Sequence, residues 1–305
     1  MNGFRVHLFG RFEVAWDGKV VEGLEARKVR ELFCYLLLFR SRTHARDVLA
    51  DLGWQDRSTS QAKKYLRQAL WQLQTALTVP SADEALLLVE QEWVQINPRA
   101  SLWLDVTMIE MGYLQVKGIR GRDLQNEQAA LIGAALHHYR GDLLEGCYRD
   151  WCIFERERFQ GIYLAMLDKL VNYCEAHGRY EEGLEHGAKI LRCDRARERT
   201  HRRLMRLYYL AGNRTGALRQ YRACVDALAQ ELQVEPAGST RALYEEIRSD
   251  QLGSVEAARP PAPMPVSGTG VTLPEVLERL DDLETVLASI REQLLQNAIA
   301  THPYR

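Results

Sequence analysis

The sequence lacks several features that mark common functional classes. Its six cysteines include no CxxC pair, and it contains no Gly-rich phosphate loop of the GxxxxGK[ST] type. These absences argue against a disulfide framework, a structural zinc site and a P-loop nucleotide site. No nucleophile elbow or catalytic acid–base pair is evident either, so we predict a protein that is not an enzyme and needs no cofactor or metal.

Long apolar runs are also missing. The longest, residues 32–39, makes about two helical turns and is too short to cross a bilayer. The N-terminus enters a strand pattern without the apolar core of a signal peptide, so we expect a cytoplasmic protein with no membrane partner. The net charge is only −1, but residues 1–99 carry 14 Lys or Arg and 12 Asp or Glu, an excess of +2. That excess permits nucleic-acid binding without requiring it.

The first 99 residues show the element order of a winged helix. Alternating apolar residues predict short strands at 4–8, 12–16 and 19–21, and Asp17-Gly18 predicts a hairpin turn between the last two. Helical spacing follows, with a first helix near 26–40, a second around 48–52 and a third from Ser58 to about Leu77. Strand-like runs at 86–89 and 93–96 predict a closing hairpin, the wing.

The third predicted helix is amphipathic, and we interpret it as a DNA recognition helix. A helix fits the major groove, where Lys and Arg contact guanine edges or phosphates and Gln contacts adenine. Lys63 borders the apolar stripe and could reach a phosphate along its alkyl stem. The alternative is a solvated helix whose polar face binds nothing. The predicted DNA-binding residues are Ser60, Lys63, Lys64, Arg67, Gln68, Trp71 and Thr75.

Trp71 is unusual on this polar face. Its indole could contact thymine methyl groups or a sugar. Alternatively, it could be buried against a neighbouring domain or subunit. The sequence leaves both interpretations open.

Residues 100–252 have a helical pattern that contains a repeat. GRYEEGL from Gly178 recurs as GNRTGAL from Gly212, an offset of 34 residues, and Leu170 and Leu204 share this offset. A 34-residue period of paired helices is the tetratricopeptide (TPR) signature. We therefore predict an all-helical, TPR-like domain.

An arginine run lies within this helical region. Residues 195–222 contain nine Arg and one acidic residue, Glu198. Like charges at helical spacing repel each other, which indicates acidic partners. These could be Glu155, Glu157 or the acidic tail of this chain, an acidic polymerase surface, DNA backbone, or a phosphorylated small-molecule effector. The candidate effector-binding or partner-binding residues are Arg195, Arg199, Arg202, Arg203 and Arg206.

The C-terminal residues predict a linker and a coiled coil. Residues 253–270 are rich in Pro, Gly, Ala and Ser without periodicity, which is typical of a linker. The next segment has apolar residues at alternating spacings of three and four, which favours a homo-oligomer over a helix folded back onto the body. The predicted oligomerisation residues are Leu273, Val276, Leu280, Leu283, Leu287, Ile290 and Leu294.

Three separated segments carry a family resemblance. They are GDLLEG…DWCIFERERF (141–159), LMRLYYLAGNRTGALRQYR (204–222) and ELQVEP…TRALYEEI (231–247). In this order they resemble the SARP-type activators, which join an OmpR-type winged helix to a bacterial transcriptional activator domain (BTAD). The resemblance covers roughly residues 4–252. It implies binding to double-stranded promoter DNA, recruitment of RNA polymerase through its sigma factor or another subunit, and no enzymatic activity.

Together these observations predict a mainly α protein with four parts. They are an N-terminal winged-helix (α+β) DNA-binding domain (1–99), an all-helical TPR-like BTAD (100–252), a linker (253–270) and a C-terminal heptad helix (271–298). The predicted function is sequence-specific transcriptional activation. The alternative is a TPR-like interaction scaffold that does not read DNA directly. The exposed Lys, Arg and Gln side chains of the third helix favour the first interpretation, because a module that only docks does not need them.

Overall fold

The computed structural model describes residues 3–79, 82 and 84–252. The predicted linker, the heptad helix and its seven apolar positions from Leu273 to Leu294 lie outside the described residues. The strands are β1 (Phe4–His7), β2 (Glu13–Trp16), β3 (Lys19–Val20), β4 (His44–Ala45), β5 (Leu87–Val89), β6 (Trp93–Ile96) and β7 (Leu102–Leu104). The helices are α1 (Arg27–Leu38), α2 (Arg46–Gly53), α3 (Thr59–Leu77), α4 (Asp105–Gln115), α5 (Asn126–Leu136), α6 (Asp150–Ala176), α7 (Tyr180–Cys193), α8 (Glu198–Leu210), α9 (Arg214–Glu231) and α10 (Gly238–Arg248).

The N-terminal strands form a four-stranded sheet in the order β3-β2-β1-β7. β1 pairs antiparallel with β2, where Val6 lies opposite Val14, and parallel with β7, where Phe4 lies opposite Leu102. Asp17 and Gly18 have φ angles of +47° and +80°. Positive φ at both positions is the geometry of the two-residue hairpin turn that Asp-Gly predicts.

Three helices pack under a second, three-stranded sheet. This sheet has the order β4-β6-β5, and its β5–β6 hairpin is the predicted wing. Buried apolar residues from α1, α2 and α3 share one core with the strands, including Phe33, Leu49 and Leu73, each 0% exposed. This arrangement confirms the winged-helix part of the predicted fold.

The helical region confirms the 34-residue repeat. α6 packs against α7 as one pair, and α8 packs against α9 as the next. Gly178 and Gly212 occupy the same position in the two turns, with φ angles of +67° and +75°. A left-handed residue at a helix C-terminus favours glycine, which is why this residue type recurs. Leu170 and Leu204 are both buried at 3% exposure.

The two regions share a core beyond the predicted boundary at residue 99. β7 follows that boundary and returns to the N-terminal sheet, and Leu143 and Phe159 belong to the N-terminal core. The described residues up to Leu252 therefore form one compact unit. None of the helices in the described ranges combines the length and apolarity that a bilayer span requires.

Candidate nucleic-acid interface

The helix α3 presents one fully buried face. Ser58 occupies the N-cap position with an extended backbone, and the 19 residues that follow carry no Gly or Pro to interrupt the helix. Its apolar residues recur at spacings of three and four and lie in the N-terminal core, as predicted. The buried residues are Ala62, Leu66, Ala69, Leu70, Leu73 and Leu77. Because this face is fixed by packing, the opposite face has a fixed direction as well.

That opposite face is exposed. All seven side chains predicted to contact DNA are exposed in the structure: Ser60, Lys63, Lys64, Arg67, Gln68, Trp71 and Thr75. Trp71 is 65% exposed, so the described part of the chain does not bury its indole. The face is therefore open to a partner.

Lys64 and Arg67 lie one turn apart near the middle of this face. Neither has an acidic side chain within ion-pair distance among residues 3–79, 82 and 84–252. Two exposed cations without a counter-charge create a local positive potential, which attracts phosphate. Gln68 lies beside Arg67 and offers an amide that can both donate and accept a hydrogen bond.

Lys63 pairs with an acidic residue of its own domain, and its phosphate contact remains a prediction. Its Nζ lies 2.9 Å from Asp47 Oδ1, which links α3 to α2. The side chain reaches sideways from the border of the apolar stripe, as its position suggests, but it meets a carboxylate of the same domain. The residue spacing predicts where the Lys63 side chain lies, but its partner could be identified only from the position of α2 in the fold.

The hydroxyl groups at the two ends of the face are also engaged. Thr75 donates a hydrogen bond to the Trp71 carbonyl at 2.9 Å, and the Ser60 and Ser58 hydroxyl oxygens are 3.3 Å apart. Thr75 has given its one hydroxyl proton to its own helix, so this hydroxyl can now only accept a hydrogen bond. A DNA phosphate oxygen can only accept as well, so the two groups cannot bond to each other in this arrangement. Ser60 is the hydroxyl better placed to donate to a phosphate.

Arg57 extends the basic surface and was not among the predicted residues. It is exposed, lies directly before the N-cap Ser58, and has no acidic partner in the part of the chain that the structure describes. The N-terminus of α3 adds the partial positive charge of its free N–H groups. A basic residue immediately before a predicted N-cap was the sequence signal for this position.

The wing carries the opposite charge. Glu90, Gln91 and Glu92 connect β5 to β6, and all three are exposed. Arg46 fixes this turn to α2, because its guanidinium donates to the Glu90 carbonyl at 3.0 Å and its backbone N–H donates to the Glu92 carbonyl at 2.9 Å. The acidic tip of the wing has the same charge sign as phosphate, unlike the exposed cations Lys64 and Arg67 of α3.

An ion-pair cluster connects this domain to the start of α6. Arg149 donates to Glu31 at 3.2 Å and to the Gly53 carbonyl at 3.2 Å. Burial favours the neutral form of Glu31, but hydrogen bonds from Arg27 and Arg149 outweigh it and lower its pKa. Arg149 therefore joins α1 and the end of α2 to the helical region through an ionised carboxylate.

Asp105 makes a second connection and was also missed at the sequence level. Its fully buried carboxylate accepts from the backbone N–H groups of Leu8 and Phe9 at 2.8 and 3.0 Å, and from its neighbour Val106 at 2.8 Å. Burial raises the pKa of Asp105 to about 6, although these three donors oppose the shift. A single acid inside the apolar stretch LWLDV was the available signal.

Five of the nine arginines in the run at 195–222 form ion pairs within the described residues. Their acidic partners are Asp168, Glu175, Glu198 and Glu231. The predicted intramolecular partners Glu155 and Glu157 are wrong, because Glu155 pairs with Arg158 at 2.7 Å and Glu157 makes no ion pair with this run. Leu167 and Val171 of α6 share an apolar cluster with Leu204 and Leu207 of α8, and this contact brings Asp168 and Glu175 to the run instead.

Comparison with known proteins agrees with this architecture. Residues 104–248 match the family described as the bacterial transcriptional activator domain. The chain is similar to the transcriptional regulatory protein MoaR1 of Mycobacterium bovis (strain BCG / Pasteur 1173P2), with 25% identity over 268 residues that cover 84% of each chain. MoaR1 of Mycobacterium tuberculosis (strain ATCC 25618 / H37Rv) is 26% identical over 269 residues, again covering 84% of each chain.

A solved structure shares the fold. Mycobacterium tuberculosis EmbR, in complex with a low-affinity phosphopeptide, matches with a TM-score of 0.61 and 23% sequence identity. The match covers 82% of this chain and 65% of the EmbR chain. The fold of this chain is therefore similar to that of a solved structure over most of its length.

Proposed function

We propose that this chain is a transcriptional regulator of the SARP type that binds promoter DNA through α3 and activates transcription; the match of residues 104–248 to the bacterial transcriptional activator domain and the similarity to MoaR1 support this proposal. The observation that carries the proposal is that Lys64 and Arg67 are exposed and have no acidic partner among the described residues. They lie on a helix whose other face is fixed in the core. A cytoplasmic location follows from this role, since promoter DNA is there.

The chemistry of the α3 face suits the major groove, which is about 12 Å wide and admits a helix. Arg67 and Lys64 are suited to the acceptor edge of guanine or to phosphate, and Gln68 to adenine. Trp71 is suited to an apolar contact with a thymine methyl group. Arg57 and Ser60 lie at the N-terminal end of the helix, where contacts to the DNA backbone position the protein without specifying sequence.

Activation requires contact with the transcription machinery. We assign this role to the BTAD, which would recruit RNA polymerase through its sigma factor or another subunit. The support is the match of residues 104–248 to this domain family rather than a particular contact surface.

We further propose that residues 271–298 join copies of the chain as a coiled coil. A dimer would place two recognition helices on repeated half-sites of an operator. Deleting residues 271–305 should lower the number of subunits in the complex, as calculated from the mass measured by analytical ultracentrifugation. An unchanged number of subunits would remove this role from the tail.

The DNA-binding proposal is tested by selecting bound duplexes from a random pool with the full chain. Affinity for the selected sequence is then measured by fluorescence anisotropy at several salt concentrations. We expect Arg67→Ala to weaken binding by about 10-fold or more, and to reduce the salt slope by about one if the contact is to phosphate. Lys64→Ala should act in the same direction.

Arg222→Ala is the matched control, because Arg222 is an exposed arginine on α9 without an acidic partner among the described residues. It should bind the selected DNA like the unmodified chain. If no duplex is enriched, the scaffold interpretation is favoured. If Arg67→Ala and Lys64→Ala both bind normally, α3 is not the reading element.

A further inference from the structure

A basic groove lies between α6 and α8, outside the proposed DNA-binding surface. Its volume is about 960 Å³, and a loop around Gly118–Arg122 forms one of its walls. Besides Arg122, which faces Asp123 at 3.9 Å, the basic residues that line it are Arg120, Lys169, Arg197, Arg199, Arg203 and Arg206. The acidic residues that line it are only Asp168 and Glu175.

The two acids do not neutralise these cations. Asp168 is shared, at 2.8 Å from Arg203 and 3.9 Å from Arg199, and Glu175 lies 3.1 Å from Arg206. Arg120 and Arg197 have no acidic partner within the described ranges. The groove therefore carries an excess of positive charge after its internal pairs are counted.

Arg203 is the most buried arginine of this groove for which an ion pair is seen. Burial lowers its pKa, and the like charge of Arg199 acts in the same direction against the attraction of Asp168. Its guanidinium is held at the wall of the groove by Asp168, whose side-chain oxygen and backbone carbonyl it contacts at 2.8 and 3.3 Å. An additional anion in the groove would relieve the repulsion among these cations.

The arginines of α8 are arranged along one line. Arg199, Arg203 and Arg206 are spaced by four and three residues, so they share one side of the helix over about 10 Å of its axis. Glu198 lies next to Arg199 but faces elsewhere, because its carboxylate accepts from the backbone N–H of Ala237 at 2.8 Å. Arg195 and Arg202 belong to the same run without lining the groove; they face Glu231 and Glu198.

We propose that this groove binds a compact polyphosphate, such as the phosphate chain of a nucleotide or of another small phosphorylated molecule. Guanidinium groups match phosphate oxygens with paired hydrogen bonds, and a row of them suits adjacent phosphates. The volume lies within the range of small-ligand sites, and a concave groove suits a compact ligand better than duplex DNA. Of the five predicted effector residues, the proposal retains Arg199, Arg203 and Arg206.

Binding is measured on the full chain by isothermal titration calorimetry at low salt, with inorganic tripolyphosphate as the probe. We expect saturable binding that weakens by about 10-fold or more in the double variant Arg199→Ala/Arg206→Ala. Arg195→Ala is the matched control and should bind within about two-fold of the unmodified chain. Both replaced side chains are largely exposed, at 61% and 49%, so the double variant should fold. The single variant Arg206→Gln gives a second test with less perturbation.

The variant Lys64→Ala/Arg67→Ala separates this site from α3. Unchanged tripolyphosphate affinity in that variant supports the groove, and loss of affinity there would assign the binding to α3 and overturn the proposal. ATP compared with tripolyphosphate distinguishes a nucleotide from a free polyphosphate, and tighter binding of either supports the site. The proposal is overturned if neither probe gives saturable heat, or if the groove variants bind tripolyphosphate as tightly as the unmodified chain does. Tighter binding of a poly-glutamate peptide than of tripolyphosphate would also overturn it.

Discussion

Two basic helices of this protein use similar residues in opposite ways. On α3, Lys64 and Arg67 are exposed and lack acidic partners among the described residues. On α8, Arg203 is only 15% exposed and lies 2.8 Å from Asp168, which is 17% exposed. The first arrangement leaves both positive charges available to a partner, whereas in the second the charge of Arg203 pairs with Asp168 and holds α8 against α6.

This contrast shows that basic composition alone does not identify an anion-binding surface. The run of nine arginines is the more basic segment in the sequence, yet its central member, Arg203, forms an ion pair with Asp168 of the same chain. The weakly basic N-terminal domain has fewer cations, but those on α3 are uncompensated. Acidic residues brought in by tertiary packing decide which cations remain available.

The largest effect on stability should come from Arg203→Ala. Among the described residues, this change leaves the half-buried Asp168 carboxylate with the single, longer ion pair to Arg199 at 3.9 Å. We therefore expect the free energy of unfolding to fall by about 2 kcal/mol. Affinity for the selected DNA should stay unchanged. Urea unfolding followed by circular dichroism measures the first quantity and anisotropy the second. If the variant is as stable as the unmodified chain but binds DNA more weakly, Arg203 serves DNA binding rather than the packing of α8.

A smaller effect, on binding only, should come from Trp71→Ala. If the exposed indole contacts thymine, DNA affinity should fall by about 1 kcal/mol, roughly five-fold, while stability stays within about 0.5 kcal/mol. Anisotropy and urea unfolding again measure the two quantities. Tyr148→Ala, which removes another exposed aromatic side chain outside α3, is the control. Unchanged affinity in Trp71→Ala would leave the indole without a role in DNA contact.

The smallest effect should come from Lys63→Ala. Lys63 lies on α3, but like Arg203 of α8 it has an acidic partner, Asp47. Lys63 and Asp47 are 48% and 71% exposed, and an exposed pair contributes about 0.5 kcal/mol or less to stability. We expect a loss of that size and a weaker effect on DNA affinity than that of Arg67→Ala. Equal losses of affinity in the two variants would show that Lys63 leaves Asp47 when DNA binds.

Much of the fold could be predicted from local patterns. The six buried positions of α3 follow helical spacing, and the Asp17-Gly18 turn follows from its two residues. The paired helices follow from the 34-residue offset between Gly178 and Gly212. Each of these features depends on residues close in sequence, or on a repeated local unit, which is why the sequence predicted them.

The connection between the two regions could not be predicted in the same way. β7 pairs with β1 across almost the whole N-terminal domain, and Asp105 binds the N–H groups of Leu8 and Phe9 nearly a hundred positions away. The ion pair of Arg149 with Glu31 spans a similar distance along the chain. No local periodicity encodes such contacts.

The sequence by itself determined the order of the elements, the buried face of α3 and the exposed direction of its basic side chains, because hydrophobic spacing fixes which side of a helix enters the core. Only the tertiary structure decided which cations are neutralised: Asp47 pairs with Lys63 and Asp168 with Arg203, while Lys64 and Arg67 have no such neighbour among the described residues. The physical reason is that Coulomb attraction depends on distance in space, and packing brings together charges that lie far apart along the chain.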